Sequence, residues 1–215
     1  MFNLSLEQKT NFLLGLFIAC LVAANMIGLK IASFGFFEAS VGILVFPILF
    51  LITDIVEEVH GTAKARQFVY IGLAALVFIL LITAIAVILP TAERSFVSHE
   101  AYSAIFGTTL RIFVASIIGF FIGQMHDVWA FNFWKQKTGG KHLWLRNNAS
   151  TMVSQFIDTT IFMFIAFYGI SPKFTAEYVF ALIIPYWLLK VGFALFDTPF
   201  CYLGIKWLRG KQLDQ

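Results

Sequence analysis

Apolar residues along this chain gather into six stretches, roughly 12–29, 39–55, 68–89, 104–123, 149–170 and 179–203. Each is close to the length of about 20 residues that a helix needs to cross the hydrocarbon of a bilayer. None shows the strict alternation of apolar and polar residues that an outer-membrane barrel requires, and a helix satisfies its own backbone groups in lipid. The pattern therefore predicts an all-α integral membrane protein with six transmembrane helices. The short connections leave no room for a second domain, so residues 1–215 read as a single six-helix transmembrane domain. The first stretch follows Lys9 but is long for a secretory signal, and we read it as a retained first helix.

Composition supports lipid as the solvent. The chain is 60% hydrophobic and only 13% charged, with 26 phenylalanines and a mean hydropathy of +0.85. That is more apolar side chain than a soluble core of this size can hide. The basic residues are unevenly placed. With the N-terminus in the cytoplasm, inside segments hold Lys9, Lys64, Arg66, Lys135, Lys137, Lys141, Arg146, Lys206, Arg209 and Lys211, and outside segments hold Lys30, Arg94 and Lys173. This bias predicts that both termini are cytoplasmic. The net charge of +3 thus reports topology, and basic residues spread among loops do not make a nucleic-acid surface.

Ionisable residues inside apolar stretches are expensive unless paired, and mark polar-solute pathways. Asp158 and Lys190 lie near the centres of the fifth and sixth stretches. At about 1.5 Å per residue, Asp158 is roughly 14 Å from one end of its helix and Lys190 roughly 16 Å from the opposite end of its own, so their depths coincide. They either meet directly or hold a ligand between them. Helical spacing places Thr151, Gln155 and Asp158 on one stripe, and Tyr186, Lys190 and Asp197 on another. Phe50, Asp54, Glu57 and Glu58 share a face of the second helix, below Pro47, which is expected to bend it. Ser116, Phe120, Gln124 and Asp127 share a face of the fourth. Arg111 points away from that face, and joins the cavity only if the helix bends near Gly119 or Gly123, or else serves the outer mouth. Asn25 offers an amide from the first helix. Gln124, Gln155 and Asn25 equally suit hydrogen bonds between helices, and Glu57 suits the headgroup layer. Phe50, Phe120 and Tyr186, beside the polar stripes, are the candidate ring-stacking surfaces.

Other chemistry is not signalled. His60, His99, His126 and His142 lack metal-ligand spacing, and Cys20 and Cys201 fit packing rather than a disulfide or metal site. There is no Walker-type loop, no Ser-His or Cys-His nucleophile arrangement, and no cofactor motif, so we expect neither an enzyme nor a cofactor.

A set of residues in order along the chain resembles the queuosine precursor transporter family, also called the vitamin uptake transporter or VUT family. The resemblance is carried by Phe46-Pro47, Thr53-Asp54, Glu58, Gly61 and Ala65-Arg66; by Gly123-Gln124 and Asp127; by Arg146-Asn147, Ser150-Thr151, Gln155 and Asp158-Thr159; and by Lys190 with Asp197-Thr198-Pro199. It implies a multi-pass protein of the bacterial inner membrane that imports 7-deazaguanines such as preQ0 and preQ1 for tRNA queuosine modification. It also implies a fold similar to the substrate-binding subunits of energy-coupling-factor transporters. A carrier acting alone and a binding subunit of an ATP-driven importer both fit.

The residue types suit such a solute. A guanine-like edge offers adjacent donors to one carboxylate, a carbonyl to an amide, and a face to a ring. Asp158, with Gln155 or Gln124, and one of the three aromatics, supply these; Asp54, Glu58 or Asp127 would neutralise an aminomethyl cation. Asn25, Arg111, Lys190 and Asp197 complete the candidate substrate-binding set. The expected partners are a purine-like small molecule and membrane lipid, with homo-oligomerisation left open.

Overall fold

A computed structural model describes residues 4–28, 30–33, 38–169, 172 and 174–210. Helices are α1 (Leu6–Ile27), α2 (Phe46–His60), α3 (Thr62–Ile88), α4 (His99–Lys137), α5 (Leu143–Phe167) and α6 (Ala176–Arg209). Strands β1 (Ile31–Ser33) and β2 (Glu38–Ser40) form an antiparallel hairpin between α1 and a 3-10 turn, Val41–Leu44. Lys173 and Lys211, counted above for orientation, lie outside the described residues, as do Leu29 and Ile170 at the ends of two expected spans.

Local chemistry sets several helix ends. Ser5 and Gln8 form a reciprocal capping box at α1, and Ser98 and Thr175 accept from the backbone N–H of Ala101 and Tyr178 at α4 and α6. Gly61, at φ 85°, takes a conformation that L side chains resist and lets α3 start directly after α2.

Five helices, α1, α3, α4, α5 and α6, are long and apolar enough to cross a membrane. The expected second span differs. Its first residues form the hairpin strand and the 3-10 turn, and α2 has only 15 residues, about 22 Å of helix. Pro47 stands in the first turn of α2 and does not bend it, because a missing N–H costs nothing where no acceptor precedes it. Non-helical backbone at such depth is tolerated where protein buries it, and Gly42 and Ile43 of the turn are buried. α4 and α6, with 39 and 34 residues, are longer than a 30 Å core requires, at about 58 and 51 Å.

The helices pack in a closed circuit: α3 on α4, α4 on α5, α5 on α6, α6 on α2, and α2 on α1 and α3. The main core joins Phe17 and Leu21 of α1, Leu49 and Val56 of α2, Phe68 and Leu76 of α3, Phe120 of α4 and Leu208 of α6. Outward, Phe78, Leu81, Ile82, Ile85 and Ile88 of α3 and Phe196, Phe200 and Leu203 of α6 are exposed, as side chains facing lipid must be. The start of α1, the end of α6 and the links 60–62 and 137–143 share one end of the bundle, where Lys9 Nζ donates to Trp207 O and Thr10 meets His60 at 2.8 Å. We call this the terminal end and its opposite the hairpin end.

Candidate functional site

The two mid-helix charges meet. Lys190 Nζ donates to Asp158 Oδ2 at 2.7 Å, with both side chains buried. The ammonium also stands over the Phe46 ring, 4.5 Å from its centroid. Asp158 fits between helices because α4 presents no side chain opposite it. A Cβ at Gly123 would lie 2.8 Å from Asp158 Cβ, and one at Gly119 would lie 3.1 Å from Asp158 Oδ1. These two glycines, four apart on one face, serve close approach of α5; α4 is one helix through both.

Lys190 borders two cavities. The larger, about 530 Å³, lies toward the hairpin end; beside Lys190 its polar groups come from Asn25, Ser40, Ser116, Thr159 and Tyr186, and Phe46 and Phe162 supply rings. Here Tyr186 Oη accepts from Ser40 N at 2.8 Å, and Asn25 Nδ2 donates to Leu21 O at 2.9 Å. The smaller, about 260 Å³, reaches toward the terminal end and is bordered by Phe50, Asp54, Asn147, Thr151, Gln155 and Asp197 as well as Lys190. The expected single polar cavity is thus two; Lys190 lines both, and its partner Asp158 lines neither but stands behind the ammonium.

Several expected members have other occupations. Glu58 is not free to meet a solute cation: Arg146 and Lys135 reach its Oε2 at 2.9 and 3.0 Å, and Arg209 approaches its Oε1 at 3.5 Å. Arg111 lines neither cavity, and donates from Nε to Ile165 O and from Nη2 to Tyr168 O, both at 2.7 Å, satisfying carbonyls at the C-terminal end of α5. Phe120 is a core ring, 6.0 Å from Phe17, and offers no face to either cavity. Gln124 and Asp127 are wholly buried and border neither cavity. Gln124 Oε1 accepts from Thr53 Oγ1 at 3.4 Å, and Asp127 adjoins Asp54. Glu57, which suited the headgroup layer in the sequence, is 1% exposed and accepts from Thr62 Oγ1 at 2.9 Å.

Reasoning from spacing missed Phe46, Thr159 and Phe162 as cavity walls, and Ser40, which the hairpin brings to Tyr186. Thr159 follows Asp158 in the chain and Phe46 precedes Pro47, so the motif residues were visible while their facing was not. The hairpin carried no helical period to reveal it. Among the described residues no group of His, Cys, Asp and Glu side chains is arranged to hold a metal ion.

Comparison with known proteins shows the family. Residues 40–204 match the family model described as "Putative vitamin uptake transporter". A "Probable queuosine precursor transporter" of Bacillus subtilis is 31% identical over 186 residues, 86% of this chain and 80% of that protein. A "Queuosine precursor transporter" of Escherichia coli is 27% identical over 203 residues, 88% of this chain and 83% of that one. No solved structure matches the chain. A match across most of the chain, on a bundle of membrane-crossing helices with paired charges at its centre, places the protein in the bacterial inner membrane as a multi-pass member of the vitamin uptake transporter family.

Proposed function

We propose that this protein imports queuosine precursors, 7-deazaguanine bases such as preQ0 and preQ1, into the cytoplasm. The observation that carries the reading is the larger cavity, whose inner limit is the buried Lys190, ion-paired to Asp158. Its lining is mainly apolar with a few convergent polar groups, as small-solute sites are. Phe46 and Phe162 offer ring faces. Asn25, Ser116, Thr159 and Tyr186 offer donors and acceptors, and Asp158 accepts the paired donors of the guanine-like edge once the solute competes with Lys190. Gln155, Phe50, Asp54 and Asp197 then meet the solute as it passes to the smaller cavity. The relatives named as queuosine precursor transporters support the solute class.

Both termini face the cytoplasm in this reading. The terminal end carries Lys9, Lys64, Lys135, Lys137, Lys141, Arg146, Lys206 and Arg209, which fits the retention of basic residues on the inner side. The larger cavity then opens outward and the smaller one inward.

Binding of preQ0 and preQ1 to purified protein, with guanine as competitor, tests the reading. Saturable binding that Asp158→Asn abolishes is expected, because an amide turns a donor toward a donor. Unchanged affinity in that variant removes Asp158 from the site, and absence of binding and of uptake into liposomes by the unaltered protein refutes the transport assignment.

A further inference from the structure

Three carboxylates, Asp54, Glu57 and Asp127, are at most 2% exposed, and none takes part in the ion pairs found among the described residues. Glu57 at least accepts from Thr62. Asp54 on α2 and Asp127 on α4 face each other instead; the hydroxyls of Ser150 and Ser154 that adjoin Asp127 donate to the backbone carbonyls of Asn147 and Ser150, and Asp54 Oδ1 and both oxygens of Asp127 are buried without a hydrogen-bond partner. Two adjoining carboxylates in a dry site cannot both stay ionised. A proton is the cation this place admits: Asp127 borders no cavity, and no cluster there suits a metal ion.

A second observation gives the pair a ligand path. Asp54 is part of the wall of the smaller cavity, together with Thr151, whose buried Oγ1 also lacks a partner. Gln124, one turn from Asp127 and held through Thr53 next to Asp54, keeps its buried Nε2 unpartnered beside the pair. The site thus has a polar wall on the solute's route and an enclosed side away from it.

We propose that Asp54 and Asp127 jointly bind one proton, taken up when the bundle encloses the solute and released when the smaller cavity opens, so that solute and proton cross together. The proton sits on one carboxyl as an O–H donated to the other, and leaves to water at Asp54. The charged and titratable groups facing this pair are Glu57 on α2, His126 on α4 by way of Ser154, Arg146 on α5, and Lys190, Asp197 and Cys201 on α6. Arg146, a cation facing the pair, is already committed to Glu58. This inference rests on the transport reading and adds the coupling ion to it.

Proteoliposomes loaded with a pH-sensitive dye and given preQ0, which lacks the basic aminomethyl group of preQ1, test it under an inward proton gradient. Wild type is expected to concentrate preQ0 and to acidify the lumen faster with solute than without. Asp127→Asn is expected to bind preQ0 with an affinity that no longer varies with pH, unlike wild type, and to equilibrate it without concentrating it. Calorimetry of preQ0 binding in two buffers of different ionisation heat, at a pH where the open pair is ionised, should show uptake of about one proton by wild type. Asp127→Asn should take up none, and the wild-type figure decides the matter if that variant does not fold. Downhill uptake with neither concentration nor proton uptake overturns the proposal while leaving the transport reading intact. So does accumulation driven by a sodium gradient alone. A wild-type protein that neither binds nor admits preQ0 overturns both.

Discussion

Glu58 and Asp158 are both acidic residues held by cations inside the bundle, and their surroundings differ in number. Glu58 gathers Lys135, Arg146 and Arg209, which tie α4, α5 and α6 to α2 at the terminal end. Among the described residues Asp158 has one cation, Lys190, which borders both cavities. A carboxylate with three partners keeps its charge compensated when one is lost. A carboxylate with one partner is left as a bare buried ion. The first arrangement suits a clasp, and the second suits a contact that a solute can replace.

The comparison predicts unequal costs. Lys190→Met should be the most damaging, about 3–5 kcal/mol by denaturant unfolding in detergent, because it strands Asp158. Adding Asp158→Asn should restore part of that, with a coupling of about 0.5–3 kcal/mol, and strict additivity would break the idea that the two share a site. Arg146→Met should cost less, about 1.5–3 kcal/mol, since its charged hydrogen bonds to Glu58 and Gly140 are lost while Lys135 and Arg209 remain. A loss as large as that of Lys190→Met would show that Glu58 depends on Arg146 alone. Gly123→Ala should cost about 1–3 kcal/mol by forcing α4 from Asp158, and its preQ0 affinity should fall with stability. Arg209→Gln should cost at most about 1 kcal/mol, being a partly exposed arm 3.5 Å from Glu58, and the loss should vanish in high salt.

Long apolar periods made the five spanning helices legible, and matched depth made the Asp158–Lys190 pair legible, because a buried ion has few ways to be stable. Position along a helix could not separate Asp54 from Glu58, one turn apart on α2: which of them meets cations depends on side chains from three other helices. The 3-10 turn before α2, with the last residues of the hairpin, hid within an apolar run, since burial against α1 allows irregular backbone where the sequence suggests more helix. Arg111 looked like a solute ligand because a lone arginine in an apolar helix demands acceptors. It finds them in backbone carbonyls of α5, a solution that residue type does not announce.

The two cysteines, Cys20 at 8% and Cys201 at 0% exposure, are shut inside the bundle. Thiol reagents that stay in water therefore find little to modify in the native fold, and the unaltered chain is already a quiet background for site-directed labelling. One cysteine installed at Ser95, in the exposed α3–α4 link, and another at Thr138, beyond α4, would each report a different side of the membrane. Reagents of that kind, added to intact cells and then to broken ones, turn the packing of two small sulfur side chains into a direct reading of which way the bundle is inserted.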